Sequence, residues 1–180
     1  LEIYKEFAKE NPFVYLPEVA MSLNNLAMFY AENNDFIKAK ENYQESLKIR
    51  RKLAKENPKA YLPKVASTLN NLANLYADNN EFIQSDNNEH SKVLESYIEV
   101  IAIYKEFAKD DSKTYLPNVA ITLEYLASFQ SQINKFSEAI ENFQEASNIY
   151  IKLSKENPKE YLPSAASVFG SLAWFSLLNK

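Results

Sequence analysis

The chain has 180 residues, 46% hydrophobic and 24% charged, a make-up that suits one globular unit of about one domain. A single glycine leaves no Gly-rich phosphate loop or nucleophile elbow, and the lack of cysteine removes disulfides, thiolate nucleophiles and Cys-based metal sites. One histidine cannot build a His-rich metal cage, a net charge of −4 argues against a nucleic-acid binder, and no apolar run reaches the roughly 18 residues that span a bilayer.

Four copies of Tyr-Leu-Pro punctuate the chain, beginning at Tyr15, Tyr61, Tyr115 and Tyr161, at intervals of 46, 54 and 46 residues. Each follows a Lys-rich stretch ending in Asn11-Pro12, Asn57-Pro58, Asp111-Ser112 or Asn157-Pro158. Each precedes a Leu-Ala pair: Leu26-Ala27, Leu72-Ala73, Leu126-Ala127 and Leu172-Ala173. In chain order this gives the end of a truncated repeat at 1–12, repeats at 13–58, 59–112 and 113–158, and the first helix of a further repeat at 159–180.

Each repeat reads as two helices. The marker proline suits a first helical position, so the first helix is expected to begin there. Its apolar residues recur at helical spacing, as Leu23, Leu26, Ala27 and Tyr30, then Leu69, Leu72, Ala73 and Tyr76. The second helix opens near Phe36, Phe82 or Phe136. In the first copy it runs through Ala39, Tyr43, Leu47, Ile49 and Leu53 to Glu56, where the coming proline stops it. With no glycine at the turn between helices, Asn34, Asn80 and Asn134 are expected in the left-handed region. Ala27, Ala73, Ala127 and Ala173 on first helices, facing Ala39 and Ala139 on second ones, allow close approach of the axes.

The long period implies an extended connection around Asn57 to Leu62. The second repeat carries eight extra residues, 85–92, whose Ser-Asp-Asn-Asn run reads as a surface loop with the helix resuming by Val93. Both ends are out of phase with the repeat, which is expected of a piece of a longer array. The last helix carries Val168, Phe169, Leu172, Trp174, Phe175, Leu177 and Leu178 and little polar surface, unlike a terminal capping helix. Self-association through Pro163–Lys180, or packing against further sequence, is the expectation.

The spacing resembles the tetratricopeptide repeat. The first copy reads Leu23, Leu26, Ala27, Tyr30, Phe36, Ala39, Tyr43 and Ser46, where the family favours alanine last; the third reads Leu123, Leu126, Ala127, Gln130, Phe136, Ala139, Phe143 and Ala146. The Asn-Asn-Leu-Ala strings at Asn24–Ala27 and Asn70–Ala73 are similar to the longer-period subtype of kinesin light chains and many bacterial repeat proteins. The resemblance implies an all-α superhelix, a solenoid of antiparallel helix pairs. It also implies that first helices line the concave face, where partners bind.

With Leu23 as the buried stripe, Met21, Asn25, Met28 and Glu32 point to the opposite side of the first helix, and Asp78 and Gln132 stand at the register of Glu32 in the next two copies. The same registers give Ser67, Asn71 and Asn74, then Ile121, Tyr125 and Ser128. Amides both donate and accept, so a row of them suits the backbone of an extended peptide, with Met28 and Tyr125 adding adaptable or aromatic contacts. A protein or peptide ligand is therefore expected, with no cofactor, nucleic acid or membrane. Catalysis is not expected, since no nucleophile, base and orienting group occur together. Asp86, Glu89 and His90 read as a solvated loop rather than metal ligands. The basic run Lys48, Arg50, Arg51, Lys52 and Lys55 reads as a solvated outer face, and Tyr15, Tyr61, Tyr115 and Tyr161 as packing between repeats. Alternative roles are end-to-end assembly and regulation within a larger protein. Cysteine-free composition fits the cytoplasm.

Overall fold

The computed structural model describes residues 1–79 and 87–178, with side chains described for 1–79 and 90–174. Among these residues lie eight helices and no strand: α1 (Glu2–Glu10), α2 (Pro12–Glu32), α3 (Phe36–Glu56), α4 (Pro58–Ala77), α5 (Asn87–Ala108), α6 (Ser112–Gln132), α7 (Phe136–Ser154) and α8 (Pro158–Leu178). They fall into two compact units, Leu1–Asn79 and Asn80–Lys180. Within each unit, helices adjacent in sequence pack side by side through short links, so the fold is an all-α stack of antiparallel helix pairs. In the first unit α2 also meets α4.

The first helices begin five residues earlier than the marker prolines suggest, at Pro12, Pro58, Ser112 and Pro158. The local signal is stronger there. Asn57 and Asp111 lie outside the α region and cap the helix, accepting from the backbone N–H of Ala60 at 3.2 Å and Thr114 at 3.1 Å. Pro12, Pro58 and Pro158 take the position where a missing N–H costs nothing. Pro17, Pro63, Pro117 and Pro163 then lie inside their helices. Each gives up one intrahelical bond near the N-terminus, and the buried residues just beyond keep the helix going. No extended connection spans Asn57 to Leu62, because α4 already occupies it.

The turns behave as their asparagines demand. Asn34 and Asn134 have φ of 58° and 62°; Asn80 lies outside the described residues. After α2, the N–H of Asn34 reaches the carbonyl of Ala31 at 3.0 Å and that of Asp35 reaches Tyr30 at 2.9 Å. Asn134 and Lys135 repeat this on Ser131 and Gln130, the double bond pattern of a helix stop built on a left-handed residue. Asp35 then caps α3 by accepting from the N–H of Lys38.

The expected loop at 85–92 is helical from Asn87 onward; residues 85 and 86, like Phe82, lie outside the described residues. Polar composition gives way because the segment runs straight into the apolar face of α5, where Val93, Tyr97 and Val100 are buried. His90 packs edge-on to Phe129, with ring centroids 5.9 Å apart.

The alanines sit where close approach needs them: Ala27, Ala73, Ala127, Ala39 and Ala139 are all at or within 1% of complete burial. Ala173 is exposed, in contrast to its counterparts. The first helices α2 and α6 pack against a following second helix, whereas α8 is the last described helix. Leu162, Phe169 and Trp174 on α8 are likewise exposed.

Candidate functional site

In the first unit the outward registers differ between the two first helices. Met21, Asn25 and Met28 on α2 are exposed, while Ser67, Asn71 and Asn74 on α4 are half-buried. In the second unit, Tyr125 and Ser128 are exposed on α6. Two of these residues, Met21 and Ser67, meet in a cleft of about 280 Å³.

Three helices build that cleft. α2 contributes Pro17, Glu18 and Ala20 beside Met21, and α4 contributes Tyr61, Pro63 and Lys64 beside Ser67. The end of α3 supplies Arg50 and Leu53. Lys64 holds its ammonium 5.4 Å from the centre of the Tyr61 ring. The walls are therefore largely apolar, with two cations and one carboxylate.

Arg50 departs from the solvated face expected of its basic run. Lys48, Arg51, Lys52 and Lys55 are exposed, but Arg50 is only 8% exposed. It stands at the register of Tyr104 and Tyr150, both buried, so a side chain there points between helices whatever its chemistry. Its Nη1 donates to the carbonyl of Lys64 at 2.8 Å and to Thr68 Oγ1. The Thr68 hydroxyl lies 3.1 Å from Asn24 Oδ1 and 3.2 Å from the Lys64 carbonyl, either of which takes its proton. Asn24 and Thr68 are buried too, so this polar network ties α2, α3 and α4 together beneath the cleft. Ser46 adds a second tie, donating to the carbonyl of Ala20 at 2.7 Å.

Asn24, next to the outward Asn25, is thus an amide engaged within the stack. The signal for Arg50 was present in the sequence, at the alignment of Arg50 with two tyrosines one and two repeats later. Its residue type pointed to solvent instead.

The same registers in the second unit carry different chemistry. Tyr150 donates its hydroxyl to Glu124, which stands where Asn24 does in the first unit. Burial pushes the Glu124 carboxyl above its ordinary value, partly offset by that bond; burial also raises the Tyr150 hydroxyl. The marker tyrosines pack on the preceding second helix. Tyr115 stacks on Tyr104 with centroids 6.1 Å apart and lies 5.3 Å from Phe107, and Tyr161 stacks on Tyr150 at 6.4 Å. Tyr15 meets Phe7 at 5.2 Å. At Tyr61 the corresponding residues are Arg50 and Leu53, which line the cleft with it.

Among the described residues no three His, Asp or Glu side chains gather in a way that could hold a metal ion. Asp86 and the Glu89 side chain lie outside them. No described helix is long and apolar enough to cross a membrane.

A family model for the tetratricopeptide repeat matches residues 19–58 and 65–90. The two segments contain α3 and most of α2 and α4; of the cleft residues, Ala20, Met21, Arg50, Leu53 and Ser67 lie within them and the other five outside. Repeats of this kind are non-catalytic scaffolds that generally mediate protein–protein interaction. No curated protein matches the chain.

Proposed function

We propose that this chain, whose residues 19–58 and 65–90 are tetratricopeptide repeats, is a non-catalytic interaction module that binds an extended peptide segment of a partner protein. The binding face is the one formed by α2 and α4, carrying Met21, Asn25, Met28, Ser67, Asn71 and Asn74. This is the concave side in arrays of such repeats, and Tyr125 and Ser128 are its counterparts on α6. The observation that carries the reading is the cleft between α2 and α4, where Met21 and Ser67 meet over a rigid, hydrogen-bonded floor. A preformed groove loses less entropy on binding than a mobile surface does. Amides along its rim can pair with a peptide backbone without demanding one side-chain sequence.

The test is affinity capture with the 180-residue chain, comparing wild type with Asn25→Arg/Asn71→Arg after circular dichroism shows both folded. A protein retained by wild type and lost by the variant is the expected result. Capture that is identical for both, or absent for both, refutes the groove reading. Self-association through Pro163–Lys180 then becomes the better account, supported by the exposed Leu162, Phe169 and Trp174.

A further inference from the structure

We infer that the groove between α6 and α8 in the second unit holds a cation-binding subsite: the Glu124 carboxylate takes the charged end of a Lys or Arg side chain of the bound peptide. The inference rests on the groove reading above, carried from α2 and α4 to the equivalent pair of first helices, and specifies the chemistry of one contact there.

The carboxylate is held in place and only half satisfied. Glu124 stands on α6 where Asn24 stands on α2, and its Oε1 accepts from the Tyr150 hydroxyl of α7. Ser164 of α8 lies beside that same hydroxyl, so three helices converge here as α2, α3 and α4 do around Asn24. Asn24 bonds through its Oδ1 to Thr68 of α4. Val168 occupies the Thr68 register on α8 and offers no polar atom. Glu124 Oε2 accordingly has no hydrogen-bond or ion-pair partner among the described residues. The side chain is half-buried rather than sealed, and burial holds its carboxyl above the ordinary value. It has lost part of its water without gaining a counter-ion, and an incoming ammonium or guanidinium restores what burial removed. With one oxygen anchored by Tyr150, the other is presented in a fixed direction.

Charge sets the sign of the ligand. Beyond Lys113 and the Lys159-Glu160 pair, all in first turns, Glu124 is the only charged residue on α6 or α8. No cation farther along these two helices competes for it. The first unit has the opposite polarity at the same registers, with Arg50 where Tyr150 stands and Lys64 where Ser164 stands. Tyr125 adds a second feature suited to a cation. It is 42% exposed and close enough to act on the Tyr150 hydroxyl electrostatically, so its ring can flank the stem and charge of a Lys or Arg side chain.

The experiment is selection from a phage-displayed library of random dodecapeptides. Every member carries the same N-terminal amine, so a base fixed at one position reports a side chain. The full chain is used as wild type, Glu124→Gln, Tyr125→Leu and Asn25→Arg/Asn71→Arg, each shown to be folded by circular dichroism. Glutamine keeps the shape of Glu124 and an acceptor for Tyr150, and Tyr125 is exposed, so both of these variants are expected to fold. Wild type is expected to enrich peptides with Lys or Arg fixed at one position. The best peptide, synthesised with that base changed to glutamine, should bind wild type about tenfold more weakly or worse. The same change should cost little against Glu124→Gln, and Tyr125→Leu should show a weaker preference for the base than wild type does. Enrichment without a fixed base, or a base whose removal costs Glu124→Gln as much as wild type, overturns the inference. If the peptides so enriched are lost with Asn25→Arg/Asn71→Arg, the inference falls and the groove reading stands. No enrichment by wild type would count against both.

Discussion

Replacing Thr68 by valine probes the network beneath the cleft with little change of shape. The residue is completely buried, and its hydroxyl accepts from Arg50 Nη1 and sits 3.1 Å from Asn24 Oδ1. Without it, two buried polar groups lose a partner. A hydrogen bond to a charged group is worth about 1.5–3 kcal/mol and a neutral one about 0.5–1.5 kcal/mol. Arg50 keeps the Lys64 carbonyl at 2.8 Å, which favours the lower end, so the expected cost is about 2–3 kcal/mol. Thr122 provides the control. It occupies the same register in α6 and is 1% exposed, but its hydroxyl donates at 2.8 Å to the carbonyl of Asn118 in its own helix. That bond ties no second helix, and Thr122→Val should cost within about 1 kcal/mol. Urea unfolding followed by far-UV circular dichroism reads both. With a slope of about 2 kcal/mol per molar, Thr68→Val should move the midpoint by roughly 1 M. In an Arg50→Tyr background the cost of Thr68→Val should shrink toward that of Thr122→Val, because the charged donor is gone. Equal costs for the two valine substitutions in the wild-type background would refute the reasoning.

Two further predictions concern the turns and one buried acid. Asn34→Ala and Asn134→Ala should each lower stability by about 1–2 kcal/mol in thermal melts, since alanine resists the left-handed backbone, whereas glycine at either site should be tolerated. Glu124 titrates above 4.5 in the folded chain because of burial, so folding favours its protonated form. That contribution is fully present below 4.5 and is lost as pH rises through the folded value. Wild type should therefore lose stability relative to Glu124→Gln as pH rises from about 4.5 through the folded value. A difference between the two that stays constant over this range in pH-dependent melts would contradict it.

Helix pairing was legible because it rests on local chemistry repeated four times. Asn34 and Asn134 announce helix stops through the one conformation that asparagine tolerates better than most residues. The alanines at 27, 73, 127, 39 and 139 announce contact because nothing larger fits at that spacing. The outward registers of α2 followed from the buried ones by rotation alone. The marker proline does not set the helix start because a second proline competes with it in three of the four copies, and in the third copy Asp111-Ser112 takes that place. The Asn-Pro pair prevails over Tyr-Leu-Pro, as a capping side chain and a first-position proline act together at Asn57-Pro58. The polar stretch at 87–92 is helical despite its loop-like composition, because composition describes solvent preference and not backbone conformation.

What the sequence by itself determined is the repeat, its two-helix content, its stops and its small contact residues, since each depends on neighbours within a few positions. Only the tertiary structure decided what Arg50 does. An arginine within a basic run looks solvated, and the helices brought against it make it a buried cross-link. The packing also decided that a cleft opens beside Tyr61, where rings stack at Tyr115 and Tyr161. The bonds that tie the helices beneath the cavity join residues 14 to 44 positions apart in the chain, at distances set by helix packing rather than by any local preference.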